Sequence, residues 1–236
     1  MGRPEIEHLI SEHEAWFADR ARGARLELRG ARLDGADLQG RRLIGAIFED
    51  VELKGADLKR TKLNRSRLTR VRFCNAEMMQ AELSDADLQD VDFSDANLVG
   101  ARLDGVRAFS TVFDGALLEK AMLAKAGLTN TTLRGATLKE ADCKRIYIKK
   151  SSLRIADLRN SDFSHALLVD VDLRGANVAG AVFYKTRMGP IQVYGMTGVP
   201  AKFQDCGIEE VDFSEAADGS AIQEATRLFK EQGQER

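Results

Sequence analysis

From residue 31 the chain repeats two apolar and three polar positions on a strict period of five. It reads ARLDG, ADLQG, RRLIG, AIFED, VELKG, ADLKR, TKLNR, SRLTR, VRFCN and holds one register to residue 185. The third residue of each unit, its centre, falls at 33, 38, 43 and so on to 183. Of these 31 centres, 20 are Leu and six are Phe (Phe48, Phe73, Phe93, Phe113, Phe163, Phe183); the others are Met78, Ala108, Cys143, Ile148 and Val178. The residue two before the centre is Ala in 18 of 31 units and mostly Val, Thr or Ser elsewhere. A helix needs apolar positions near a 3.6 period, and a half-buried strand a sustained period of two. Two apolar positions two apart, repeated every five, mean a short extended segment that buries two same-facing side chains and then turns a corner. One unit buries too little to offset the entropy of ordering its backbone, so coils must stack.

A longer period supports this picture. If four units close one square coil, residues twenty apart stack. Positions 51, 71, 91, 111, 131, 151, 171, 191 and 211 are Val, Val, Val, Thr, Thr, Ser, Val, Ile and Val, all avoiding the Ala common elsewhere. Positions 36, 56, 76 and so on to 176 are Ala without exception. Phe73, Phe93 and Phe113 form one aromatic column, and Phe163, Phe183 and Phe203 another. The four sides of the coil are therefore not equivalent.

The units ADLQG at 36, ADLKR at 56, ADLQD at 86, ANLVG at 96, ADLRN at 156 and ANVAG at 176 resemble the A(D/N)LXX consensus of the pentapeptide-repeat family. That resemblance implies an all-β fold, a right-handed quadrilateral parallel β-helix (a solenoid), to which the ends add short terminal α-helices. It says little about function, because the family is functionally diverse.

Two stretches disturb the pattern. Residues 186–200, TRMGP IQVYG MTGVP, hold two of the three Pro and place Gly198 at a centre, yet Phe203 and Phe213 return in register. Degraded coils are expected there, with a surface loop before one last coil as the alternative; Pro weakens pairing locally. In VRAFS at 106–110 the centre is Ala108, so Phe109 either points outward or reaches through a bulge into the space Ala108 leaves.

Near the N-terminus Ile6, Leu9, Ile10, Trp16 and Phe17 have helical spacing, with Pro4 suited to a first turn. An amphipathic helix is expected to cover the open end of the solenoid, which otherwise exposes unpaired strand groups. At the other end Ser220 and Gln223 suit a capping box, Ile222, Ala225, Leu228 and Phe229 a helix face, and Gly233 a stop. This second helix either caps the far end or joins two chains; the resemblance permits a homodimer through the C-terminal end, and two-fold pairing is the commonest symmetric assembly. The chain thus divides into an N-terminal helical cap (1–25), a β-helix (26–215, with 186–200 degenerate) and a C-terminal helix (216–236).

Composition adds exclusions. With 35 Lys and Arg against 37 Asp and Glu, the formal charge is −2, which suits neither a bulk nucleic-acid binder nor a polyanion. No apolar run is long enough for a transmembrane helix, and no signal peptide is read, so a cytoplasmic protein is expected, with no membrane partner. Three Cys and three His leave little material for disulfides or a zinc site.

Candidate chemistry is sparse. Asp37 and Asp57, and Asp142 and Asp162, stack about 4.8 Å apart, close enough to share a cation. The family consensus places Asp or Asn there as a structural residue, so no metal is expected. His8 and His13 are five apart, poor spacing for ligands on one helical face, and suit a solvated or capping role. His165 falls at an outward corner. Cys143 and Cys206 are core positions, while Cys74 and Ser164 should face out. No P-loop, dinucleotide fingerprint, Ser-His-Asp set or CxxC occurs. The chain is read as no enzyme, with no cofactor and no small-molecule substrate.

The preferred function is a non-enzymatic protein–protein interaction scaffold for an unidentified protein partner, with no direct nucleic-acid contact. Its candidate contacts are Tyr147, Leu167 and Val169 on one side of the coil, Val182 and Tyr184 around a corner, and Leu228 and Phe229 at the C-terminal end; contiguous exposed apolar patches mark interfaces. Met79, Val99 and Leu117 form a second cluster. The alternative follows from the resemblance: some family members bind DNA gyrase as DNA mimics. Duplex DNA carries a charge every ~1.7 Å, roughly 26 over a rod of nine coils, against −2 here. A local acidic patch, Glu82, Asp85, Asp87, Asp90, Asp92 and Asp95, is what remains of that reading.

Overall fold

A computed structural model describes residues 3–208 and 211–212. Helix α1 (Arg3–Ala18) precedes a stack of short parallel strands. One side of the stack carries β1 (Glu27–Arg29), β2 (Ile47–Glu49), β3 (Arg67–Thr69), β4 (Asp87–Gln89), β5 (Arg107–Phe109), β6 (Gly127–Thr129), β7 (Tyr147–Ser152) and β8 (Leu167–Asp172). Each pairs in parallel with the next at an offset of twenty residues, as in Glu27↔Ile47, Ile47↔Arg67 and Tyr147↔Leu167. The other three sides pair through single bridges at the same offset, such as Arg32↔Glu52, Asp37↔Asp57 and Arg42↔Lys62. The fold is a parallel β-solenoid with four five-residue sides per coil.

Backbone groups are satisfied between coils, which is why no unit stands alone. The Leu53 N–H donates to the Arg72 carbonyl of the following coil (2.8 Å), and the Glu52 N–H to the Ala31 carbonyl of the preceding one (2.9 Å). From 30 to 185 every fifth residue turns the corner in the left-handed region, where Gly, Asn and Asp are favoured; Pro190 and Pro200 break the series.

The corners are of two kinds. Three are closed by a hydrogen bond from the residue after the turn to the preceding centre: Ala36 N–H to Leu33 O (3.0 Å), Arg41 to Leu38 (3.1 Å) and Ala46 to Leu43 (3.1 Å). Among the described residues no such bond closes the corner that leaves the β1–β8 side, after Phe48, Leu68, Leu88 or Ala108. The residues just past it are Val51, Val71, Val91 and Thr111. In β7 and β8 the strand runs through this corner to Ser152 and Asp172. β-branched side chains suit a backbone that stays extended, which accounts for the Val/Thr column in the sequence.

The centres and the small residues fill the interior. Phe73, Phe93 and Phe113 stack with centroids 5.0 Å apart, and Phe163 and Phe183 at 5.4 Å. This is the coil rise imposed on the rings. The register continues past residue 185: β9 (Val182–Tyr184) pairs with β12 (Lys202–Gln204), while β10 (Arg187–Met188) and β11 (Ile191–Gln192) add to β8. β13 (Gly207–Ile208) and β14 (Val211–Asp212) extend the same ladders.

Helix α1 lies over the first coil. Ile6 and Ile10 are buried, and Leu9 packs against the same core. Trp16 and Phe17, expected among the capping residues, stay half-exposed, and the Arg20 guanidinium lies 3.6 Å from the Trp16 ring. The fully buried residue of the last turns is His13, whose Nδ1 accepts the Leu26 N–H (2.9 Å). An imidazole can satisfy that otherwise orphaned strand amide, and an apolar ring cannot. The expected C-terminal helix, with Leu228 and Phe229, lies outside the described residues.

Candidate interaction surface

The stacking register decides which side chains share a side. In β1–β8 the middle residue points inward and its two neighbours point out. Two outward columns therefore run up this sheet. One reads Glu27, Ile47, Arg67, Asp87, Arg107, Gly127, Tyr147, Leu167, Arg187; the other reads Arg29, Glu49, Thr69, Gln89, Phe109, Thr129, Lys149, Val169, Gly189.

The lower half of this sheet is held by cross-coil ion pairs. Arg29 meets Glu49 (3.5 Å), Arg70 meets Asp50 (2.6 Å) and Glu49 (2.8 Å), and Arg107 meets Asp87 (2.6 Å). The Arg70 hydrogen bond holds the Asp50 carboxyl below the usual carboxylate range. These pairs are exposed and contribute little stability each, but they cancel charge locally. The upper half is different. Phe109 points outward and is 49% exposed, so the alternative of a bulge is not used. One coil above, Thr129 follows Phe109 and Gly127 leaves a gap over Arg107, and then come Tyr147, Leu167 and Val169.

The structure brings Tyr147, Leu167 and Val169 together: Tyr147 pairs directly with Leu167, and Lys149 with Val169. Leu167 is exposed, while Tyr147 and Val169 are half-buried. Val182 and Tyr184 sit on the adjacent side, beyond the corner at Lys185, and are half-buried. The Tyr184 ring is covered: Lys202 Nζ lies 3.8 Å from its centroid and His165 meets it edge-on at 5.7 Å. Tyr184 thus presents a cation-capped ring and not a bare apolar surface. Met79 and Leu117, of the second cluster, are exposed on the all-Ala side. Met122 and Ile155 are exposed as well, and the five-residue pattern gives no signal for either.

The Asp and Asn residues before the centres have a structural explanation. Asp37, Asp57, Asp142, Asp157, Asp162 and Asp172 each accept the backbone N–H two residues on, at 2.9 to 3.1 Å. This is the Asx-type bond that favours these residues in turns. Asp142 and Asp162 do stack, but Lys144 Nζ bridges them at 3.4 and 3.3 Å. Ser164, expected to face out, is buried instead, with its amide and hydroxyl against Asp162. Burial pushes the Asp162 carboxyl up, but the Ser164 and Lys144 contacts outweigh it and leave the group below its ordinary range. Within the acidic patch, Glu82 meets Lys62 (3.6 Å), Asp87 meets Arg107, and Asp92 accepts from Ser94 and from the Cys74 thiol (3.1 Å). Burial and Asp92 push that thiol up to about 11, so Cys74 is no nucleophile at neutral pH. Burial raises Cys143 further still.

The family of pentapeptide repeats matches this chain in 8 copies, over residues 27–65, 66–107, 101–139 and 151–189. The chain belongs to the pentapeptide-repeat family. No curated protein sequence matches it. Among solved structures it is similar to a trypsin-treated form of QnrB1, a plasmid-mediated fluoroquinolone resistance protein, with a TM-score of 0.60 and 18% identity over 79% of this chain and 92% of that one. A second trypsin-treated QnrB1 gives 0.60 and 16%, over 88% of this chain and 95% of that one. HetL, a pentapeptide repeat protein involved in heterocyst differentiation regulation from the cyanobacterium Nostoc, is 20% identical over 89% of this chain and 98% of that one, with a TM-score of 0.39. At these identities the likeness is one of fold. No described helix is long and apolar enough to cross a membrane.

Proposed function

We propose that this chain is a non-enzymatic docking scaffold, and that its working surface is the upper half of the β1–β8 sheet, centred on Tyr147, Leu167 and Val169. The observation that carries the reading is the contrast along one sheet. Below, Arg29, Glu49, Arg70, Asp87 and Arg107 pair across coils and Arg67 alone of the outward cations does not; above, apolar side chains stand outward beside several cations that have no carboxylate partner. A rigid sheet also presents such a surface with little ordering cost on binding.

A DNA-mimicking role at a type II topoisomerase is the second reading, and the kinship in fold with QnrB1 is what favours it. Charge argues against it, because half of the acidic patch, Glu82, Asp87 and Asp92, is tied down by Lys62, Arg107 and Ser94, and the whole chain carries only −2. Photo-crosslinking separates the two. Benzoylphenylalanine placed at Leu167 is expected to capture a protein from the native host, and the same group at Thr132, on the next side, is not. Inhibition of DNA supercoiling by the purified chain, with no capture from position 167, replaces the scaffold reading with the mimic.

A further inference from the structure

We infer that the partner of this surface presents an acidic protein segment with an apolar side chain at its centre. The inference rests on the docking role proposed above and adds the chemistry of the partner.

Cations surround the apolar centre without being neutralised. The corner column before β6, β7, β8 and β10 holds the cations Lys125, Arg145 and Lys185, with His165 between the last two, each residue exposed and one coil from the next. On the sheet itself stand Lys149 and Arg187, with Lys150 at the following corner. Among the described residues, Lys125, Arg145, Lys149, Lys150 and Arg187 have no carboxylate within ion-pair reach. Lys185 lies against the Tyr184 ring, 5.1 Å from its centroid. Asp170 and Asp205 are the carboxylates at these corners, so cations outnumber them. Elsewhere along the rod most Lys and Arg meet a carboxylate; Arg25, Arg32, Arg42, Arg60, Arg67 and Arg134 do not, and of these Arg25 bonds the Gly45 carbonyl, Arg42 lies over the Phe17 ring and Arg60 bonds Gln80.

The centre of this ring is a recess. Above Leu167 and Val169 the outward columns end in Gly207 and Gly189, which carry no side chains. A groove of about 340 Å³ opens there, with Leu167, Val169, Met188 and Pro190 as apolar walls and Arg187 at its edge. A groove that takes an aliphatic or aromatic side chain beside a free guanidinium suits an apolar residue flanked by carboxylates. The corner column spans about three coil rises, roughly 14 Å, or four residues of extended chain. A nucleic acid is disfavoured, because the recess is apolar and the whole chain is net negative.

The test uses the full chain and a fluorescein-labelled ten-residue peptide with four glutamates around a Leu-Phe pair. The peptide is expected to bind, and to bind more weakly as salt rises. Reversal of Arg187 and Lys185 together (Arg187→Glu, Lys185→Glu) is expected to weaken it about tenfold or more, and Leu167→Ser similarly. Arg134→Glu, an unpaired cation on another side, should change affinity less than about twofold. Melting curves of each variant confirm that it is folded. The inference is overturned if the lysine-for-glutamate peptide, polyglutamate, a 20-base-pair duplex or phosphatidylserine vesicles bind as well as the acidic-apolar peptide. It is overturned equally if Arg134→Glu weakens binding as much as the double reversal. Crosslinking from position 167 that ignores the charge reversal retains the docking role and rejects the acidic partner. Failure of both crosslinking and peptide binding rejects both.

Discussion

Ile155 turns its corner at a φ of 51°, and its Cγ2 lies 2.8 Å from the place a Cβ on Gly175 would occupy one coil above. A β-branched residue in the left-handed region is strained, and this one is 57% exposed, so little burial offsets the strain. Ile155→Gly is therefore expected to raise stability by about 1 kcal/mol. Gly175→Ala is expected to lower it by about 1–3 kcal/mol, through its own φ of 71° and the contact with Ile155. In the double variant the second cost should shrink. Urea midpoints of the four proteins decide, and a destabilised Ile155→Gly contradicts the strain.

Phe163 stacks on Phe183 in the core, so Phe163→Ala should cost about 3–5 kcal/mol through the cavity it leaves. Arg134→Ala, on an exposed side chain with no partner, should cost less than about 0.5 kcal/mol. Equal shifts in the urea midpoint would mean that the inward register is misassigned.

His13 ties α1 to the first coil as a neutral ring. Nδ1 accepts the Leu26 N–H, so the ring proton sits on Nε2, and burial is the main cause that lowers the His13 pKa below its ordinary value. The unfolded chain then binds more protons than the folded one once the pH drops below about 6.5. Stability is fully present above that pH and is lost as the pH falls from about 6.5 toward the lowered folded value, by at most about 1.4 kcal/mol per unit. Melting temperatures at pH 7.5 and 5.0 should show the drop, and His13→Gln, which keeps an acceptor, should reduce it. An unchanged drop in the variant would assign the effect to other groups.

Cys74 should label slowly despite its place on an outward column. With its thiol raised to about 11, reaction with a disulfide reagent at pH 8 should run about tenfold or more slower than for a free cysteine, the loss of thiolate being partly offset by its greater nucleophilicity. Asp92→Asn should speed it. Rapid labelling of the unmodified chain would show that the Asp92 contact does not form.

The repeat made the coil, its core and its corners legible, because each residue of a solenoid has the same environment as the residue twenty positions away. Val51, Val71 and Val91 showed that the four sides of the coil differ; that they follow the one corner without a closing hydrogen bond is a finding of the structure. The exceptions arise where a side chain answers a local polar need. Ser164 folds in against Asp162, and His13 serves an orphaned amide; neither follows from hydrophobic periodicity. Tyr147, Leu167 and Val169 could be placed on one side from their numbers alone. The free cations around them could not, because pairing depends on side-chain reach between coils, as the Lys144 bridge to Asp142 and Asp162 shows.

The central claim, that twenty residues make one coil and so bring distant positions onto a single working surface, is tested most directly by distances between spin labels on one outward column. Labels at Gln89 and Val169 lie four coils apart, and labels at Glu49 and Val169 six. The expected separations are about 19 and 29 Å, a difference of roughly 10 Å. Separations that differ by less than about 5 Å, or that exceed about 50 Å, would contradict a stack of twenty-residue coils.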